Sequence, residues 1–545
     1  MRLMTSSAMP QAVISCEPQP DGAHDSHVSG TNIRHRMAVL TLFVAGVGLA
    51  LILYQPWRRA PFRIADFSEF LPLLIHHKSF GAQLSGFIGY YASQGRFNVL
   101  LYVLEVSRWS AFGWNAAAWQ ISSFVEMCGV VAIVYALLYR ITGDRAGEIA
   151  GSSLFIVATA ATSGWIVVTV AEPLAMWPLY GGALLATGYQ HSRKPRTMSA
   201  VIAVLMALTI LTKEVLIALV PFVLLLAWTC DGPGRFRPIR MSRRNQLLAG
   251  ATIVGTAMAM IPVVLIASHA RGTAYSTLYG DGSTRFALAR FLAMTLPAYA
   301  TYPPLLSFLL PGNVLFLLVV GTGWCTTQAR TESKTGRLAL FAAIMAVPIA
   351  GTIVYLPWPF FDLYYALPFL VGPAALFAVA VTSLTRHLPR WRWLTFCACT
   401  LILAQAALFS GYTSNRLLAL REVNGTLVDS IGHRPVTDTI VVAAKGTQLL
   451  PWFGAGPTLS RFAAAVFPLR GMSPTRSASC DRKDNDGTNA RNTRVILISY
   501  SDDCGALAHS SSVARRVFRY VYWPDLSVRY DSVRADLWIP DASVR

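Results

Sequence analysis

A helix needs roughly 18–20 consecutive apolar residues to cross the hydrocarbon core of a bilayer, and this chain is built largely from runs near that length. About eleven can be placed, near residues 37–56, 115–139, 148–169, 173–190, 197–212, 214–230, 246–268, 303–325, 338–357, 363–384 and 391–411. Only Lys213-Glu214 separates the fifth from the sixth, so those two form either a tight hairpin or one broken helix. Composition agrees with spanning helices. Of 545 residues, 54% are hydrophobic and only 13% charged, about half the charged share of an ordinary soluble domain. A soluble enzyme, a disordered chain and a disulfide-stapled secreted domain are all excluded. The expected fold class is an all-α polytopic membrane bundle.

A net charge of +19 would suit nucleic acid if it were spread over one surface. Here the basic residues sit in short clusters between apolar runs, as in loops beside anionic headgroups, so membrane lipids are expected partners and nucleic acid is not. Arg140 and Arg145 follow the second run; His191, Arg193, Lys194 and Arg196 follow the fourth. Arg235, Arg237, Arg240, Arg243 and Arg244 follow the sixth, Arg330, Lys334 and Arg337 the eighth, and Arg386, Arg390 and Arg392 the tenth. With an odd number of spans these clusters share the N-terminal side, which the positive-inside rule makes cytoplasmic. Trp57-Arg58-Arg59 is a local exception. The chain is expected to be a multi-pass protein of the cell (inner) membrane, with its N-terminus cytoplasmic and its C-terminus outside.

Residues 1–36 are polar and read as a disordered cytoplasmic tail. Residues 37–411 form the membrane module, with long outer loops at 57–114, amphipathic over 80–91, and at 269–302. After Gly411 charges of both signs appear, with β-rich runs at 439–442, 495–498 and 517–522, which predict a small extracytoplasmic α/β domain over 412–545. His433 and residues 472–491 read as solvated loop. Cys128, Cys230, Cys325, Cys397 and Cys399 lie within or beside apolar runs without metal-ligand spacing, whereas Cys480 and Cys504 could pair in an oxidising compartment.

Three groups of residues could carry chemistry. Asp66-Phe67-Ser68-Glu69 lies just beyond the first span and puts two carboxylates on one helical face, either to deprotonate a hydroxyl or hold a divalent cation, or to form a capping box. Gln94-Gly95-Arg96 either presents Arg96 to a phosphate or ends a helix with Gly at the stop. Glu172, Lys213, Glu214, Arg271, Arg285 and Asp362 fall at the outer ends of spans. Lys213 there either anchors a phosphate or pairs with Glu172 or Glu214 to close the bundle. Phosphate-cradling, dinucleotide and zinc-hydrolase motifs are absent from the sequence.

These features resemble the GT-C superfamily of polytopic glycosyltransferases, which use polyprenyl-phosphate-linked sugars at the outer membrane face. The resemblance rests on the acidic motif Asp66 to Glu69 after the first span, on Gly95-Arg96, and on Glu172-Pro173 and Lys213-Glu214 at "EP" and "KE" positions. It also rests on Tyr364-Tyr365-Ala366-Leu367-Pro368, similar to the "RYxLP" start of a late span in aminoarabinose- and mannose-transferring branches. The acidic pair is Asp-x-x-Glu rather than adjacent acids, and Leu363 stands where that motif has Arg. The resemblance implies catalytic carboxylates at Asp66 and Glu69. It implies substrate contacts from Lys213, Arg96, Glu172, Glu214, Arg271, Tyr364 and Tyr365, a lipid-linked donor, and a glycan, lipid or protein acceptor. Nothing in the sequence requires a cofactor or a protein-bound metal, although a divalent cation would suit the acidic pair. An O-antigen polymerase or ligase, and a lipid-linked glycan flippase, would share this hydropathy; a flippase should place charges at the midplane and show repeats.

Overall fold

The computed structural model describes residues 48–54, 73–74, 79–113, 115–166, 170–269, 323, 333–355, 363–387, 390, 393–404, isolated positions to 418, and strands between 440 and 540. Its helices are α1 (Phe80–Ser93), α2 (Val99–Phe112), α3 (Ala116–Thr142), α4 (Arg145–Val157), α5 (Thr159–Ile166), α6 (Ala171–Thr187), α7 (Pro195–Thr212), α8 (Val220–Thr229), α9 (Arg243–His269), α10 (Ser333–Val354) and α11 (Val371–His387). Short 3₁₀ segments cover Glu214–Leu219 and Leu363–Phe369, and an apolar helix covers Trp393–Ala404. Among the described residues four helices are long and apolar enough to cross a membrane, or five if α4 and α5 are one bent span. The eighth expected run, 303–325, lies almost wholly outside the described residues.

The third expected run is not one straight helix. The two pieces Arg145–Val157 and Ala160–Ile166 meet at 55°, because Ala158 adopts an extended conformation (ψ 138°) and ends α4. A helix that stops inside an apolar environment must find donors for its last carbonyls. Tyr54 Oη donates to the Ile156 carbonyl at 3.0 Å, and Ser410 Oγ donates to the Val157 carbonyl.

Lys213 is the point at which the chain reverses rather than the middle of one broken helix. Its extended backbone (φ −154°, ψ 103°) ends α7. The chain then returns through α8, whose Ala227 carbonyl accepts from Gln190 Nε2 at 2.6 Å, just ahead of the start of α7. The helix ends therefore sort into two faces. At one, the Gly234 amide donates to the Arg140 carbonyl at 3.1 Å, Arg386 Nε meets Asp144 at 3.3 Å, and His191 meets Asp231 at 3.1 Å. Arg244 caps the Gln190 carbonyl, and Gly336 lies against the Arg237 backbone. Basic clusters from five separate loops are thus gathered at one end of the bundle. Two glycines make the close approach: Gly143 (φ +60°) and Gly234 (φ +63°) each hold a left-handed conformation, and a Cβ on Gly234 would lie 2.7 Å from the Thr142 carbonyl.

In the C-terminal part five strands form one sheet in the order β2-β1-β3-β5-β4. β1 (Ile440–Ala444) is parallel to β2 (Arg476–Ser479) and β3 (Ile496–Ser499). β4 (Ser510–Tyr522) and β5 (Arg529–Pro540) form a long antiparallel hairpin with a register shift between Ser512 and Ala514. The near-continuous apolar sequences of β1 and β3 suit central strands. β2 falls within the stretch read as solvated loop: an edge strand holds its place by backbone pairing, so its polar sequence gave no sign of it. His433, Cys480 and Cys504 lie outside the described residues.

Candidate active site

The end opposite the basic clusters carries the N-terminus of α6, the reversal at Lys213, the C-terminus of α10 and the 363–369 segment. Glu172 enters there because Pro173 follows it in the first turn of α6, where proline is tolerated and an acid faces the positive end of the helix dipole. Lys213 reaches it from the α7 reversal, with Nζ 2.9 Å from Glu172 Oε1. That oxygen takes no aligned hydrogen bond, so the contact is an ion pair. Glu172 is almost completely buried and Lys213 retains 13% exposure. The ammonium also lies 5.3 Å from the centroid of the Tyr365 ring, within cation–π range. Glu214 is partly buried, and its Oε2 accepts no hydrogen bond.

Aromatic residues wall this charge cluster. Tyr365 stacks on Tyr355 at 4.9 Å and touches Tyr364 at 4.5 Å, while Tyr355 meets Phe369 edge-on at 6.3 Å. Tyr180 Oη donates to the Pro368 carbonyl at 3.0 Å and ties α6 to the 363–369 segment. The Tyr365 ring and the buried Glu172 carboxylate both hold the Lys213 ammonium.

Helices α1 and α2 pack beside the same region. Phe87, Tyr91, Tyr102, Val106, Leu74 and Leu101 form a cluster that includes Ala171, the residue before Glu172. Tyr91 stacks on Tyr102 at 5.1 Å, and the Tyr102 hydroxyl accepts from the Asn98 amide at 3.1 Å. The Gly95 turn is a helix stop: Gly95 N donates to the Ala92 carbonyl at 3.0 Å and Arg96 N to the Tyr91 carbonyl at 2.9 Å, with Gly95 at φ +80°. That pair of bonds is the Schellman arrangement. The geometry at Gly95-Arg96 is therefore that of the capping reading.

A second buried charge cluster was not singled out in the sequence. Arg108 on α2 lies 2.9 Å from Glu126 on α3 and 3.5 Å from Glu105 one turn back, with Nε donating to Ser122 Oγ at 3.3 Å. Glu126 is a lone acid inside an apolar run, and that was the available signal. The cluster clamps the loop helix α2 onto the first long span.

Glu172, Lys213, Tyr364 and Tyr365 come together, and Glu214 adjoins them in sequence. Arg96 lies in the turn between α1 and α2. Asp66, Glu69, Arg271, Arg285 and Asp362 lie outside the described residues. Among the described residues no three His, Cys, Asp or Glu side chains are grouped to hold a metal.

No family model and no curated protein matches the chain. It is similar to the solved structure of ArnT from Cupriavidus metallidurans bound to undecaprenyl phosphate, at 14% identity over 93% of this chain and 98% of that one, with a TM-score of 0.45. It is also similar to the archaeal oligosaccharyltransferase AglB from Archaeoglobus fulgidus, in complex with an inhibitory peptide and a dolichol-phosphate (13% identity, 85% and 69% of the two chains, TM-score 0.43). A third is the arabinofuranosyltransferase AftD from Mycobacteria (13%, 93% and 40%, TM-score 0.44).

Proposed function

We propose that this multi-pass membrane protein is a glycosyltransferase that moves a sugar from a polyprenyl-phosphate carrier to an acceptor hydroxyl, at the face opposite its basic clusters. One observation carries the reading. Glu172, Lys213 and Tyr365, from three motifs far apart in sequence, meet around one partly buried ammonium. The gathering of basic loops at the other end supports a cytoplasmic assignment for that end and an extracytoplasmic one for this site.

In this mechanism Lys213, fixed by Glu172 and the Tyr365 ring, donates its exposed N–H to the carrier phosphate, with Arg96 and Arg271 supplying further positive charge. Glu214 and Tyr364 line the approach. The acceptor oxygen attacks C1 of the sugar and its proton passes to Asp66, with Glu69 alongside. The C1–O bond to phosphate breaks, and its electron pair leaves on the lipid phosphate. A carboxylate near its ordinary pKa of ~3.9 is a weak base for an alcohol, so stabilising the leaving phosphate is the larger contribution. A divalent cation on Asp66 and Glu69 would serve the same end.

The competing reading, favoured by the same 2.9 Å contact, is that Lys213 and Glu172 only close the bundle. Undecaprenyl phosphate added to the detergent-purified protein tests between them. Carrier at ~100 times its Kd should stabilise the wild type by about 2.7 kcal/mol, visible as a raised melting temperature, and should stabilise Lys213→Ala far less. Equal shifts in both proteins, or none in the wild type, would remove Lys213 from the carrier site.

A further inference from the structure

We infer that residues 230–242, between α8 and α9, form an anchor that docks on the anionic phospholipid headgroups of the leaflet at the basic end, with Ile239 and Met241 set into the headgroup–acyl boundary. The loop is pinned and cannot fold its apolar residues away. Cys230 and Phe236 pair in an antiparallel bridge. The Arg237 amide donates to the Thr229 carbonyl at 2.9 Å and Gly234 to Arg140 at 3.1 Å. Asn245 Nδ2 donates to the Arg240 carbonyl at 2.7 Å. Between these pins Ile239 is 40% and Met241 61% exposed. They sit beyond the helix ends, where they would face water unless the loop lies on the membrane.

The charges around them match one kind of surface. Arg235, Arg240 and Arg243 are exposed on the loop and at the start of α9, and Arg193, Lys194 and Arg196 are exposed at the adjoining start of α7. Among the described residues the nearby carboxylates Asp231 and Asp144 are engaged, with His191 and Arg386. Apolar side chains flanked by cations on a rigid loop fit an interface whose phosphates meet the guanidinium groups and whose acyl edge meets Ile239 and Met241. An acidic protein would answer the charges but not the apolar pair. The inference rests on membrane residence and is independent of the catalytic reading.

The test is photo-crosslinking of the full chain carrying a diazirine side chain at position 241, reconstituted in liposomes of phosphatidylcholine mixed with phosphatidylglycerol. Lipid adducts read by mass spectrometry should be enriched in phosphatidylglycerol over its bulk share. The enrichment should fall to the bulk ratio when Arg235, Arg240 and Arg243 are all replaced by Gln. A diazirine at Ile253, an exposed residue within α9, should give lipid adducts at the bulk ratio throughout. Position-241 adducts at the bulk ratio, adducts to a co-purified protein, or no lipid adducts at all would each overturn the inference.

Discussion

Glu172→Gln is the perturbation that most directly probes the site, because it removes one charge of a buried pair while keeping shape. At 2.9 Å and an effective dielectric of about 20, the gross attraction is about 6 kcal/mol, much of it offset by the desolvation of both ions. Removing one partner leaves the other charge uncompensated, which typically costs about 3–5 kcal/mol. The Tyr365 ring returns only about 0.5–2 kcal/mol to the stranded ammonium, so the expected loss is about 3 kcal/mol, seen as a melting temperature lower by several degrees. Lys213→Ala strands Glu172 instead and should cost a similar amount. The double variant removes both charges and should be more stable than the summed singles by up to ~3 kcal/mol, the usual coupling of contacting residues.

Melting of the detergent-purified proteins, paired with a glycosyl-transfer assay on equal amounts of folded protein, separates the two readings of Lys213. If the pair only closes the bundle, stability and activity return together in the double variant. If Lys213 holds the carrier phosphate, stability returns and transfer does not. A Glu172→Gln protein that melts with the wild type would refute the reasoning at its root, since it would mean the contact is not a buried ion pair.

Asp66→Asn keeps capping ability but loses the charge, so the protein should melt normally while turnover falls about 10²–10⁴-fold; near-normal transfer would leave only the capping role. A reporter active only in the cytoplasm, fused after Arg545, should be silent, and activity would reverse the proposed orientation. Gly234→Ala places a side chain in a left-handed conformation and 2.7 Å from the Thr142 carbonyl. It should cost at least about 1–2 kcal/mol in thermal stability, whereas Gly181→Ala, with open space around it, should cost none.

Hydropathy located α3, α7 and α9 because a lipid-facing helix declares itself by length and composition alone, and charge bias collected the basic loops because their one-sidedness is a property of insertion rather than of packing. The break at Ala158 was not legible: its sequence is as apolar as its flanks, and the donors that make it tolerable, Tyr54 and Ser410, come from distant spans. The site divides along the same line. Lys213 and Glu172 stood out individually as charges in apolar surroundings, but their pairing depends on α7 reversing and α6 starting at the same height, which only the fold supplies. Tyr355 and Tyr180 were invisible for the opposite reason, since a tyrosine at the end of an apolar run is ordinary until its neighbours are known. Glu126 carries a signal of its own, a lone charge inside an apolar run. It went unremarked because its partner, Arg108, belongs to a segment whose sequence reads as an outer loop. The loop helix is therefore part of the bundle's charge balance, and a buried arginine that neutralises Glu126 fixes α2 at a set height against α3. That height positions the aromatic cluster of Tyr91 and Tyr102 beside Ala171, and so carries the first loop to the edge of the Lys213 site.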